Sequence, residues 1–197
     1  GLEASVRSAI KSRALGLGVL GWHSLLQKER IPFDSFDAMM LNAKIFAHIR
    51  SEAEIATRLV ANDEGPPEWC EGTGRRNTHL LAIAPTFSNS IISGGYSPGI
   101  EPITANVFSQ KTAKGTFIRR NSELSAALSE IGMDNPETWR MINEAAGSVQ
   151  GLDIPDRMKD VFRTAREINQ FAIVKQAAQR QKFIDQAQSV NLFFSSN

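Results

Sequence analysis

Thr86, Ser88, Asn89 and Ser90 put four small hydrogen-bonding side chains into five consecutive positions. Such residues recognise anions in two ways. Their hydroxyls and amides donate directly, and as helix caps they mark a place where backbone N–H groups stand unpaired. They follow an apolar run, Leu80-Leu81-Ala82-Ile83-Ala84, too short for an ordinary helix and suited to a strand buried on both faces. Pro85 stops the run and biases Ala84 toward an extended backbone. Ile91 and Ile92 can open the apolar side of a following helix. A strand that runs into a helix N-terminus beside several hydroxyls makes a phosphate site. The same residues also fit a plain strand, turn and capped helix, which is the commoner arrangement. Chemistry alone leaves both readings open.

Other reactive groups are sparse. Cys70 is the single cysteine, so no internal disulfide exists. It sits between Trp69 and Glu71 with no histidine close in sequence, and reads as an ordinary thiol. His23, His48 and His79 show no metal-ligand spacing with one another or with Cys70. Glu101, between Ile100 and Pro102, has the setting of a fixed carboxylate, although a solvent-facing loop glutamate fits as well. Gly72-Thr73-Gly74-Arg75 is glycine-rich but precedes the apolar run and lacks the lysine of a P-loop, which argues against a small phosphotransfer enzyme.

The 197 residues can form one domain with a real core, and their net charge is +1. Basic residues occur as scattered pairs, so neither a general nucleic-acid surface nor a membrane patch is indicated. No apolar run approaches a membrane span, the first residues do not resemble a secretion signal, and a cytoplasmic location is expected.

The elements that position these groups follow from periodicity and punctuation. Residues 5–14 are helical in pattern, and Gly16 and Gly18 interrupt, allowing backbones to come close. A second helix is expected from Val19 to about Gln27, burying Leu20, Leu25 and Leu26. Asp34 or Ser35 caps a long amphipathic helix with Phe36, Met39, Met40, Ala43, Phe46, Ala47, Ala53, Ala56 and Val60 in register, ending by Asn62. Val107–Lys111 and Thr116–Arg119 read as a hairpin turning at Lys114-Gly115. Residues 123–131 and 136–147 read as helices, the second capped by Asn135 with Pro136 first. A longer helix carries Met158, Val161, Phe162, Ala165, Ile168 and Ala172 and can continue into the glutamine-rich stretch 176–188. Ser189–Phe194 reads as a further buried strand. So few strands would be poorly covered as an independent α/β domain, which suggests part of a larger barrel.

Gly16-Leu17-Gly18-Val19, the stretch Arg76–Gly95, Gly99-Ile100-Glu101-Pro102 and Gln181-Lys182-Phe183-Ile184-Asp185-Gln186 occur in an order and spacing that resemble the carboxy-terminal half of the catalytic domain of class I ribonucleotide reductase large subunits, the phage and bacterial forms most of all. The resemblance runs from roughly Arg13 to the end. It implies an α/β fold, part of a ten-stranded α/β barrel in a helix-rich fragment, with residues 1–197 forming an incomplete domain. It further implies that Pro85, Thr86, Phe87, Ser88, Asn89 and Ser90 hold the substrate diphosphate, Thr86 and Ser88 through hydroxyls, Phe87 and Asn89 mostly through backbone N–H groups. Some members of the family carry Glu or Ala where Phe87 stands, so no side-chain role carries over there.

In this family a thiyl radical inside the barrel attacks the ribose, and two further cysteines reduce it. The resemblance places those cysteines before residue 1 and the radical-relaying tyrosine pair beyond residue 197. Cys70 and Tyr96 match none of these positions, so no catalytic residue, metal or cofactor is assigned to this chain. The expectation is a split or partial large subunit, inactive alone, that pairs with its amino-terminal part, receives its radical from a separate small subunit and binds a ribonucleoside diphosphate. The alternative is a non-catalytic binding or assembly module that keeps the barrel fragment.

Overall fold

Several element ends are set by local chemistry. The computed structural model describes residues 1–112 and 115–194. Its helices are α1 (Glu3–Ser12), α2 (Trp22–Lys28), α3 (Phe36–Glu64), α4 (Phe87–Ile92), α5 (Ser122–Glu130), α6 (Pro136–Glu144), α7 (Asp156–Val161) and α8 (Gln170–Gln181). Two strands, β1 (Val107–Thr112) and β2 (Gly115–Arg120), pair antiparallel, with Val107 opposite Arg120 and Phe108 opposite Arg119. This is the expected hairpin; its turn residue Lys114 lies outside the described residues. Ser35 caps α3 by accepting the Ala38 N–H at 3.1 Å. That helix runs to Glu64, two residues past the expected end. There Gly65 turns at φ +76°, and Arg76 donates to the carbonyls of Gly65 and Glu64 at 2.6 and 3.3 Å. Asn135 caps α6 as read from sequence, its side chain accepting the Thr138 N–H.

The chain divides into two compact units. The first comprises Gly1–Val19, Met39–Ala84 and Lys175–Ser189. Its spine is the apolar run, which lies parallel to one segment on each side through bridges Leu17–Leu81 and Ile83–Gln188. Leu80, Leu81 and Ile83 are buried, Ala82 is half-buried and Ala84 exposed, so the expected strand buried on both faces is reduced to two isolated bridges. Gly18 is required here: a Cβ on it would stand 2.4 Å from the Ala82 carbonyl oxygen. The Asp185 carboxylate accepts the N–H groups of Leu80 and Leu81 at 3.0–3.1 Å and is paired with Arg50 at 2.8 Å. Burial pushes the Asp185 carboxyl up, but the Leu81 and Leu80 N–H groups and Arg50 together bring it below its ordinary value. Arg180 is fully buried. It donates to Asn42 at 2.9 Å and lies 5.3 Å from the Phe46 ring centroid, and burial lowers its pKa to about 10.

The second unit comprises Leu20–Ala38, Pro85–Val174 and the residues from Val190 onward. Its core joins the hairpin to α5, α6 and α7 through Val107, Leu124, Leu128, Trp139, Ile142 and Phe162. Arg163 forms a bidentate pair with Asp34 at 2.8 and 3.1 Å. His23, fully buried, accepts the Ile103 N–H on Nδ1 at 3.0 Å, which leaves the ring proton on Nε2.

Several expectations are corrected. The second helix begins at Trp22 and not Val19, because Gly21 takes φ +82° outside the helix. It buries Trp22, His23, Ser24, Leu26 and Gln27, while Leu20 and Leu25 are only half-buried. The buried stripe of α3 is Ala38, Asn42, Phe46, Thr57 and Ala61; Phe36, Met40 and Val60 are exposed. The expected long helix from Met158 breaks into α7 and α8. The Phe162 carbonyl is taken by the Asn106 amide at 2.8 Å, and the Ala165 N–H goes to the Ile103 carbonyl at 2.7 Å, so neither is available to a continuing helix. Nor does α8 reach residue 188; it stops at Gln181. Past the Gln188 bridge, Ser189–Phe194 is not a buried strand. The N–H of Asn191 goes to Glu101 and that of Phe193 to the Gln170 side chain, each at 2.8 Å, in place of a strand partner.

Two predictions arise from this packing. Gly18→Ala is expected to destabilise the protein by about 1–3 kcal/mol in chemical denaturation, as overpacking does. Gly16→Ala, whose Cβ would meet the Ala82 Cβ at 3.4 Å and Gln186 Nε2 at 3.9 Å, leaves the midpoint nearly unchanged. The second concerns acid. Burial holds the His23 pKa down from 6.5 to about 3. The unfolded chain therefore takes up a proton that the folded chain refuses, and stability falls as pH drops through that window. Asp185, held below its ordinary value, adds a further loss that begins as pH falls into the ordinary carboxylate range, at about pH 5, and continues below it. His23→Gln should flatten stability between pH 6.5 and 4.5, as read from unfolding midpoints; an unchanged slope would contradict the assignment.

Candidate functional site

Pro85 to Ser90 form the entry and first turn of α4, within the second unit. Thr86 is the residue before the helix and adopts φ 46°, ψ 27°. That is the left-handed region, seldom occupied by a β-branched residue, and such conformations cost about 1–3 kcal/mol. The Thr86 side chain does not cap the helix. Its Oγ1 accepts the N–H of Gly99 at 2.8 Å instead, and its carbonyl accepts the Ser90 N–H at 2.9 Å. The hydroxyl proton of Thr86 thus remains available to an acceptor outside the protein.

The N–H groups of Phe87, Ser88 and Asn89 have no acceptor among the described residues, as expected for the first turn of a helix. Pro85, Phe87, Ser88 and Asn89 are exposed, and Thr86 is half-buried. Ser90 differs from its neighbours. It is 2% exposed, and its hydroxyl donates to the Phe87 carbonyl at 2.7 Å. Its contribution is to hold the turn, while Pro85, Phe87, Ser88 and Asn89 face outward. No carboxylate occurs within the segment, so an arriving anion meets aligned donors with no like charge among them.

Beside the turn lies a cleft of about 330 Å³ whose lining includes Phe87, Ser90, Tyr96, Glu101 and Asn191. Glu101 is 7% exposed and fixed: Oε1 accepts the backbone N–H of Asn191 at 2.8 Å, and both oxygens accept its side-chain amide at 3.0 and 3.2 Å. The sequence suggests a fixed carboxylate but not its partner, which lies 90 positions away. Cys70 is buried in a single 3-10 turn, Glu68–Cys70, and belongs to the other unit. The three histidines remain apart in role: His23 is buried in the core, while His48 and His79 are exposed. Among the described residues, no group of His, Cys, Asp and Glu could hold a metal ion, and no helix is long and apolar enough to cross a membrane.

Spacing alone also misses the support behind Thr86. Loop residues 97–99 hold the start of α2. The Ser97 carbonyl accepts the Gly21 N–H at 2.8 Å, and the Gly99 carbonyl accepts the Trp22 N–H at 3.2 Å. Nothing in the one-dimensional pattern pairs Ser24 with Ser97.

The model of the family described as "Ribonucleotide reductase, barrel domain" matches residues 2–73 and 67–197. The ribonucleoside-diphosphate reductase large subunit of Invertebrate iridescent virus 6 is 44% identical over 98% of this chain, which spans 20% of that protein. A putative large subunit from Frog virus 3 is also 44% identical, over 96% of this chain and 34% of its own length. Among solved structures, the class Id ribonucleotide reductase alpha subunit of Actinobacillus ureae superposes with a TM-score of 0.89 at 45% identity, over 97% of this chain and 35% of that one. The chain thus spans between a fifth and about a third of these relatives. Matched along nearly its whole length, it belongs to the ribonucleotide reductase barrel-domain family and carries part of that α/β barrel.

Proposed function

We propose that this chain supplies the substrate-diphosphate site of a ribonucleoside-diphosphate reductase large subunit, which reduces ribonucleotides to deoxyribonucleotides. The observation that carries the reading is the row of unpaired N–H groups at Phe87, Ser88 and Asn89, exposed beside the hydroxyls of Thr86 and Ser88. A nucleoside diphosphate brings two to three negative charges to these donors. Hydrogen bonds to a charged group contribute about 1.5–3 kcal/mol each. Holding the diphosphate also fixes the ribose, and such positioning is a large part of catalysis. Within this segment Ser90 serves through the turn it closes, and Pro85 through the exit it imposes on the preceding run.

The radical chemistry lies outside this chain in our reading. The remaining part of the large subunit provides the cysteines, and a separate small subunit provides the radical. Pairing with that remainder is supported by apolar surface on α1, where Leu2, Val6 and Ile10 are 73%, 53% and 51% exposed at a spacing of four.

The test combines this chain with the missing part of a large subunit and a small radical subunit, and follows CDP reduction. Replacing both Thr86 and Ser88 by alanine is expected to raise the CDP dissociation constant by roughly a hundredfold or more, from the loss of two charge-assisted hydrogen bonds. Unaltered CDP affinity in the double variant would remove the segment from the substrate site.

A further inference from the structure

Resting on that reading, we propose that Ser97 and Ser24 are positioning residues that aim the Thr86 hydroxyl at the substrate diphosphate through the N–H of Gly99. The two serines make a reciprocal pair. The Ser24 N–H donates to Ser97 Oγ at 3.1 Å, and the Ser97 N–H donates to Ser24 Oγ at 2.9 Å. Both residues are buried, Ser97 at 1% and Ser24 at 8% exposed.

The pair answers a need at the start of α2. Gly21 precedes that helix and has no side chain with which to cap it. Loop 97–99 takes over, accepting the N–H groups of Gly21, Trp22 and Ser24 on the Ser97 carbonyl, the Gly99 carbonyl and Ser97 Oγ. A helix end left bare in the interior would be costly, so the loop is held firmly. Its third residue then presents an N–H to Thr86 Oγ1 at 2.8 Å.

The effect on Thr86 is specific. A threonine side chain can turn its methyl group or its hydroxyl toward a given neighbour. The Gly99 N–H selects the orientation that brings Oγ1 to the loop and occupies one of its lone pairs. The hydroxyl proton is then directed elsewhere, free for an anion. Without the loop in place the hydroxyl would sample other rotamers, and the diphosphate would lose a donor pre-set to meet it. Ser97 and Ser24 touch no substrate in this arrangement; they act through Gly99 and Thr86.

A double-mutant cycle on CDP binding to the assembled large subunit tests this. Thr86→Ala alone should weaken CDP by about tenfold, as loss of a charge-assisted hydrogen bond does. Ser97→Ala alone should weaken it by roughly three- to tenfold. Added to Thr86→Ala, the Ser97 change should cost less than about twofold more, because its route to the substrate is already gone. Losses that multiply, or a Ser97→Ala variant that binds CDP normally, overturn the proposal while leaving the diphosphate site intact. An undiminished affinity in Thr86→Ala would instead strike at the site itself. Should Ser97→Ala fail to fold, Ser24→Ala removes the other half of the pair, spares the cap on α2, and is expected to show the same non-additivity.

Discussion

Four residues of backbone, Leu80 to Ile83, have nearly every polar group engaged, and the rest of the first unit is arranged to make that possible. The N–H groups of Leu80 and Leu81 go to Asp185, that of Ala82 to the Leu17 carbonyl and that of Ile83 to the Ala187 carbonyl. The carbonyls of Leu80 and Ile83 accept from Leu17 and Ser189. The side chains of Leu80, Leu81 and Ile83 are buried, so water cannot take the place of these partners. Each neighbour answers one part of this demand. Gly18 permits the close approach, and Asp185 supplies a double acceptor where no strand carbonyl reaches. Arg50 and Arg75 balance its charge and that of Glu54. A carboxylate among two guanidiniums is costly to bury unless it is hydrogen-bonded as well, and here it is.

The diphosphate segment begins where this constraint ends. Pro85 has no N–H to offer, and the chain then enters α4 through a strained residue. The strain at Thr86 is local, and two hydrogen bonds offset it: one from the Gly99 N–H to its hydroxyl and one from the Ser90 N–H to its carbonyl. Ser90 secures the turn from inside. Sequence chemistry lists it with its neighbours because it is the same kind of residue, yet its hydroxyl is spent on the Phe87 carbonyl.

What could be read from the sequence was what local chemistry decides. The buried run, its stop at Pro85, the cap at Asn135 and the hairpin pairing all follow from residues near one another in the chain. The misplaced elements share a different cause. The helix expected across Phe162 and Ala165 is interrupted by Asn106 and Ile103, some 56 to 62 positions away, and the start of α2 is decided by the loop around Ser97. No periodicity in the interrupted stretch reports such partners. His23 and Gln27 were equally hidden: polar residues on an apolar helix face look like solvent contacts until Ile103 and Asn121 are found opposite them. The family resemblance rested on short motifs, and those motifs lie where backbone geometry leaves few choices, at Gly18, at the turn after Pro85 and at Asp185.

The last described stretch is attached in an unusual way. In a sheet the acceptor is a carbonyl, rigid with its own strand, and releasing it means moving that strand. Asn191 and Phe193 are instead held by a carboxylate and an amide on side chains, those of Glu101 and Gln170. The stretch can part from Glu101 and Gln170 with no ladder broken. Its detachment is therefore a local opening with its own, smaller free energy, separable from the unfolding of the remaining chain.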